Sequence, residues 1–354
     1  MTVYLILIGL LIFQAACFSI SKIRSNKLYC ILAYFEILLI AGFRIPTGGD
    51  TQHYVDFYTY VTDISSYSDL NSGFEIGYNI YNYLLSRVFH GPQYIIFFSI
   101  AIINYLVFKY ILENSKIVWL SIVLYITLGF LFSFMNTTRF AIACAILLCS
   151  IKYLENSNFL KFTIVVLIAF SFHFSAIFFI LIYFFKYIDL DKKKNIILIL
   201  VGTLALNYVF VPIFELIVQF HGRYSSYMNT GGQFYSSSFA NIIYAIQYLL
   251  LFIFCYYYNK GKRNAPIVGA LVLALSCAIV SMKIMMMIRF TTMFGLTVVV
   301  LIANSLYKFR HTLKYYFFLL IILSITVLQV VIIFLYRPDW YLITPYRNIL
   351  FENY

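Results

Sequence analysis

Charge is what this sequence has least of. Only 11% of its 354 residues are Asp, Glu, Lys or Arg, too few to coat a soluble globule of that length. Metal-ligand spacing is missing too: Cys17, Cys30, Cys144, Cys149, Cys255 and Cys277 all fall inside apolar runs and read as core filling. No Gly-rich phosphate loop and no paired-acid metal motif interrupts the polar stretches, which argues against nucleotide-sugar chemistry. No metal and no cofactor is expected. Internal repeats, low-complexity tails and a separate soluble domain are likewise absent from the sequence.

What is present is hydrophobic. Apolar residues make up 63% of the chain, and the mean hydropathy is +0.90. Runs of about twenty apolar residues recur between short polar loops, a far stronger signal than the alternating strands of an outer-membrane barrel. The expected fold is all-α: a polytopic integral membrane helix bundle forming one transmembrane domain over residues 1–354. About eleven apolar segments are expected, at 2–20, 28–43, 93–112, 117–135, 139–154, 162–185, 196–220, 240–258, 265–282, 288–307 and 315–336. The first lacks a basic leader, and its positive charges (Lys22, Arg24, Lys27) follow it. It therefore reads as a span with its N-terminus outside, not as a signal peptide.

The segment 162–185 decides the topology, because it carries Ser171, His173 and Ser175 in an otherwise apolar run. As one helix it reaches roughly 36 Å, enough for a tilted crossing. Read instead as a hairpin turning near His173, it puts 17 of the 25 Lys and Arg residues on the inner side and 8 on the outer. A single crossing erases that bias, so the positive-inside rule favours the hairpin. The net charge of +12 is then explained by the inner loops, and no nucleic-acid partner is expected. Irregular backbone at membrane depth needs a protein wall or a wet cavity, so the hairpin points to a cavity open to the outside.

In that topology the outer basic residues are Arg44, Arg87, Arg139, Arg223, Arg289, Arg337 and Arg347, with Lys283 alone among the lysines. A guanidinium grips phosphate with a planar, permanently charged fork, so the outer face is suited to a phosphate-like anion. Arg139 and Arg289 each open an inward-running span, where free N–H groups and the helix dipole add to their charge. Asn136, Thr137 or Thr138 is placed to cap the helix that carries Arg139.

The long outer loop, 44–92, starts with a turn at Pro46, Gly48 and Gly49 that presents Asp50, followed by Tyr54 and Tyr58 on one helical face. A carboxylate beside flat rings suits a sugar. Phe74, Tyr78, Tyr81, Leu85 and Val88 form a stripe expected to lie on the outer leaflet as an amphipathic helix. Glu75 is either a catalytic carboxylate or the second half of a Ser72-x-x-Glu75 capping box.

Taken in order, Arg44, Gly49-Asp50, Tyr54, Glu75-x-Gly77-Tyr78, Asn136-x-x-Arg139 and His173-x-Ser175-Ala176 make the chain resemble the EpsG-like family of Wzy-type polysaccharide polymerases over roughly residues 40 to 300. Phe140 departs from the family, where glutamine is common. The resemblance implies an integral-membrane glycosyltransferase at the outer face of the bacterial cytoplasmic membrane. Its substrate would be oligosaccharide repeat units on a polyprenyl diphosphate, in contact with membrane lipid, with a flippase and a chain-length regulator as possible partners. Arg139, Arg289, Arg44 and Asn136 would hold the diphosphate, and His173 or Asp50 would deprotonate or orient the attacking hydroxyl. Tyr54, Tyr58, Glu75 and Tyr78 would contact sugar. An O-antigen-ligase-like transferase and a flippase of lipid-linked oligosaccharide are the alternative readings.

Overall fold

The computed structural model describes residues 1–20, 25–47, 49–205, 239–258, 266–284, 286–336, 338 and 341–351. The loop 221–239 except its last residue, the later part of the segment 196–220, and Arg223 and Arg337 lie outside the described residues. Within the described residues the chain is helical, with an isolated bridge between Arg44 and Asn348.

The first half runs α1 (Thr2–Ile20), α2 (Asn26–Ile37) continuing into a π-turn (Leu38–Gly42), α3 (Gly49–Asp63), α4 (Ile76–Ser86), α5 (Gln93–Asn114), α6 (Val118–Thr127), α7 (Phe130–Asn136), α8 (Thr138–Leu148), α9 (Ile151–Glu155) and α10 (Phe159–Phe170). A 3-10 stretch (Phe174–Ile180), α11 (Leu181–Phe184) and a helical segment at 193–205 (α12) follow. The chain then continues as α13 (Phe239–Tyr258), α14 (Pro266–Ser281), α15 (Met287–Gly295), α16 (Val298–Tyr307) and α17 (Leu313–Tyr336).

Four of these helices, α1, α5, α13 and α17, are long and apolar enough to cross a membrane, and the count rises to six if two bent pairs are each one span. Among the described residues this supports a helical membrane protein with four to six candidate spans. The bend between α6 and α7 is 53° and falls at Gly129. There φ is +85°, and the Tyr341 hydroxyl occupies the space a Cβ would need, so glycine suits both the backbone and the packing. The pair α15 and α16 bends by 41°.

The protein interior lies around α6, α8 and α16, which are buried nearly throughout. Lipid tails are as apolar as leucine, so helices here are tied by close packing and by polar contacts. Ser121 donates to the Val299 carbonyl at 3.1 Å. Asn304 donates to the Asn114 carbonyl at 2.9 Å and accepts from the Lys116 amide at 2.7 Å. Such links contribute about 0.6–2 kcal/mol each.

The segment 162–185 doubles back. The Phe159 and Tyr183 rings lie 4.5 Å apart and the Phe162 and Tyr183 rings 6.0 Å apart, whereas one straight helix would separate the first pair by roughly 36 Å. Polar residues make the turn. His173 adopts an extended conformation, and its ring accepts from the Ser175 amide, capping the 3-10 stretch. The Ser171 carbonyl, left over at the end of α10, accepts from the Gly77 amide of α4 at 2.7 Å. In a cysteine-free background, Asn156→Cys and Lys193→Cys should therefore react with a membrane-impermeant maleimide from the same face. Labelling from opposite faces would mean a single crossing.

α4 faces the other way from the sequence expectation. Tyr78 is fully buried, Tyr81 and Leu85 pack against the core, and the exposed ridge is Ile76, Ile80 and Leu84, continued by Val88. The polar residues Asn79 and Asn82 turn inward and are buried. Asn79 donates to the Phe74 carbonyl and accepts from Ser72, and Asn82 donates to the Tyr78 carbonyl.

Candidate active site

Five separate pieces of chain meet at one cavity of about 320 Å³. The first turn of α3 supplies Asp50, His53 and Tyr54, with Phe57 one turn further on. The start of α8 supplies Thr137, Arg139 and Phe140, and the hairpin turn supplies His173. Phe74, just before α4, and Arg289, in the first turn of α15, close the walls. Aromatic packing sets these positions. The Phe178 ring of the hairpin meets Phe290 edge-on at 5.3 Å, bringing Arg289 to the turn, and Phe140 meets the His173 ring at 5.4 Å.

Arg139 is held on two sides. It is ion-paired with Glu75, and its guanidinium lies 4.3 Å from the Phe74 ring centre and 5.7 Å from that of Tyr54, a cation–π arrangement that fixes the plane of the fork. Its Nε is buried without a hydrogen-bond partner. No side chain caps α8 or α15; the Thr137 hydroxyl donates back to the Ser133 carbonyl at 2.9 Å instead. At α15 the Met287 and Arg289 amides donate instead to the Ile284 and Met286 carbonyls at 3.0 and 3.1 Å, so of the two helix starts that of α8 is the one that favours an anion.

Glu75 joins the arginine to the hairpin. One carboxylate oxygen pairs with Arg139, and the other accepts from the Phe174 amide at 3.2 Å. The capping box read from Ser72-x-x-Glu75 is not formed: Glu75 makes no cap contact, and Ser72 accepts from the Phe74 amide and donates to Asn79. The second carboxylate, Asp50, faces Arg289 at 3.8 Å, with both side chains 43% exposed.

His173 is buried, and Nδ1 lies 2.7 Å from the Ser175 hydroxyl and 3.3 Å from the Ser175 amide nitrogen. An N–H cannot donate to a nitrogen that already carries hydrogen, so neutral His173 keeps its hydrogen on Nε2. Its one ring N–H is therefore the one at Nε2. Burial raises the Tyr54 phenol above its ordinary range, with Arg139 working in the opposite direction, so this hydroxyl is a neutral donor as well.

Other expected site residues lie elsewhere. Arg44 is buried outside the cavity, where it donates to the Thr51 hydroxyl at 3.2 Å and to the Met135 carbonyl. The carbonyls at the end of α7 attract it, so it ties α7 to α3 and does not line the cavity. Tyr58 is fully buried and donates to the Phe89 carbonyl at 2.5 Å. Tyr78 is also fully buried, its ring 5.7 Å from Tyr54 and its hydroxyl without a partner. Neither tyrosine lines the cavity. Asn136 does not line it either, and its side-chain oxygen is buried without a hydrogen-bond partner.

Sequence reasoning missed His53, Phe57, Phe74, Thr137 and Phe140 as site residues. His53 had a readable signal, since it stands three residues after Asp50 on the same helix face; Phe140 had none. Among the described residues, no three His, Cys, Asp or Glu side chains come together as metal ligands.

Neither the curated proteins nor the solved structures contain a match to this chain. A family model does match: the EpsG family model covers residues 27–348, nearly the whole chain, and the protein belongs to that family.

Proposed function

We propose that the chain is a polysaccharide polymerase that joins oligosaccharide repeat units carried on polyprenyl diphosphate, working at the outer face of the bacterial cytoplasmic membrane. One observation carries the reading: Arg139 and Arg289, from helices far apart in sequence, line a single cavity with His173 and aromatic rings. EpsG family membership supports a polymerase-type role.

In this reading the growing chain is the donor. A hydroxyl at the non-reducing end of the next lipid-linked unit attacks the anomeric carbon of the donor's reducing-end sugar. A new C–O bond forms, the bond to the diphosphate breaks, and the lipid diphosphate departs with the electron pair. Fixed donors aimed at that developing charge are the main catalytic asset of such a site. Arg139, Arg289 and the Nε2–H of His173 fill this role. His173, first expected to take the hydroxyl proton, presents hydrogen and not a lone pair, which leaves Asp50 and His53 as the acceptors. Tyr54, Phe57 and Phe74 supply ring faces for sugar stacking, and the exposed ridge of Ile76, Ile80 and Leu84 offers an apolar track for the polyprenyl tail. A flippase would deliver the units and a chain-length regulator would limit the product.

Deleting the protein should leave cells with single repeat units at the surface and no long polymer. Long chains stranded on the carrier lipid would indicate a ligase, and repeat units trapped in the cytoplasmic leaflet a flippase; either result would sink the polymerase reading.

A further inference from the structure

Arg139, Arg289 and Asp50 line the cavity, Glu75 pairs with Arg139 without lining it, and the two ion pairs differ. Arg139 and Glu75 are close, with their side chains only 19% and 20% exposed, and Glu75 is also held by the Phe174 amide. Asp50 and Arg289 meet through one contact of 3.8 Å, and each is 43% exposed. Among the described residues neither side chain makes a hydrogen bond. The formal charges of the four side chains cancel. A dianionic diphosphate entering such a site gains little unless one carboxylate gives way, and the wet, single-contact pair is the one that opens most easily. The phosphate oxygens offer the freed guanidinium a bidentate, charge-assisted grip in exchange.

We propose that the Asp50–Arg289 pair is a substrate-operated latch. The diphosphate of the donor takes Arg289 and releases Asp50, and Asp50 then becomes the base that receives the acceptor hydroxyl proton. This rests on the polymerase reading and adds regulation to the same site. The balance is complete: the hydroxyl proton passes to the Asp50 carboxylate as the new glycosidic bond forms, and the electron pair of the broken bond leaves on the lipid diphosphate. After that product departs, Asp50 loses its proton to solvent and pairs with Arg289 again. His173 cannot serve as this base while its Nδ1 accepts from the Ser175 amide. The latch makes the base available only while a donor is seated, so acceptor activation and leaving-group stabilisation are switched on together.

The test uses purified full-length protein in phosphatidylcholine nanodiscs, with farnesyl diphosphate as the titrated probe. Asp50→Asn and Asp50→Ser remove the competing charge, and both should bind the probe roughly fivefold or more tightly than wild type, because no population is held in the latched form. Both should fail to restore polymer in cells lacking the protein. Tighter binding with lost turnover is the signature of the latch. Unchanged or weaker binding by both variants would overturn it, as would lost polymer in His53→Gln with near-normal polymer in Asp50→Asn. A different result addresses the parent reading: if wild-type protein does not bind the probe, or Arg139→Lys and Arg289→Lys bind it as wild type does, the diphosphate site itself is wrong.

Discussion

Arg139→Lys should lower polymer synthesis roughly 100-fold, the usual consequence of losing one preorganised charge-stabilising donor, while the protein stays in the membrane at its normal level. Charge alone is preserved in this variant, so the loss would report geometry. The guanidinium bridges Glu75 on one side and lies over Phe74 on the other, 4.3 Å from its ring centre. An ammonium has no plane to stack and no fork to share between a carboxylate and a phosphate. Glu75 would then lose a directed partner while still holding the Phe174 amide, so the hairpin turn should survive and the folded protein should remain. Polymer length on a gel, normalised to membrane abundance, measures the effect. Wild-type chain length would remove Arg139 from the reacting centre.

The second large effect is expected at a residue that carries no side chain. A Cβ on Gly77 would lie 2.3 Å from the Ser171 hydroxyl and 2.7 Å from the Ser171 carbonyl oxygen, and the same carbonyl accepts from the Gly77 amide at 2.7 Å. Gly77→Ala therefore has to push α4 off the hairpin turn, at a cost of about 1–3 kcal/mol. Phe74 sits three residues before Gly77 and His173 two residues after Ser171, so the displacement moves two walls of the cavity. The variant should unfold at a lower temperature in detergent and make little polymer. Gly9→Ala, where nothing lies within 4 Å of the added carbon, is the neutral control. Ser171→Ala should not rescue Gly77→Ala, because the backbone clash remains; full rescue would show that only the hydroxyl matters.

Both predictions depend on contacts between segments that hydropathy treats as unrelated. Periodicity and sign of charge are local properties, and they identified the apolar helices, the interruption at Ser171–His173 and the arginines at the starts of α8 and α15. Partner choice is not local. Arg44 and Arg139 look alike in sequence, each polar and next to an apolar run, yet Arg44 is buried against the Met135 carbonyl and Arg139 lines the cavity. Tyr54 and Tyr58 share a helical face, yet only Tyr54 reaches the cavity wall while Tyr58 is buried against the Phe89 carbonyl.

On its own, then, the sequence determined the class of molecule: a helical membrane protein, with few charges and with guanidinium groups placed at helix starts. It did so because the cost of a charge or an unpaired backbone group in lipid is high enough to shape composition directly. The tertiary structure decided which polar groups face one another: Glu75 with Arg139, Asp50 with Arg289, and His173 with its hydrogen on Nε2. Such pairings depend on how helices distant in the chain pack, and the small differences between competing packings leave no periodic trace in a single sequence.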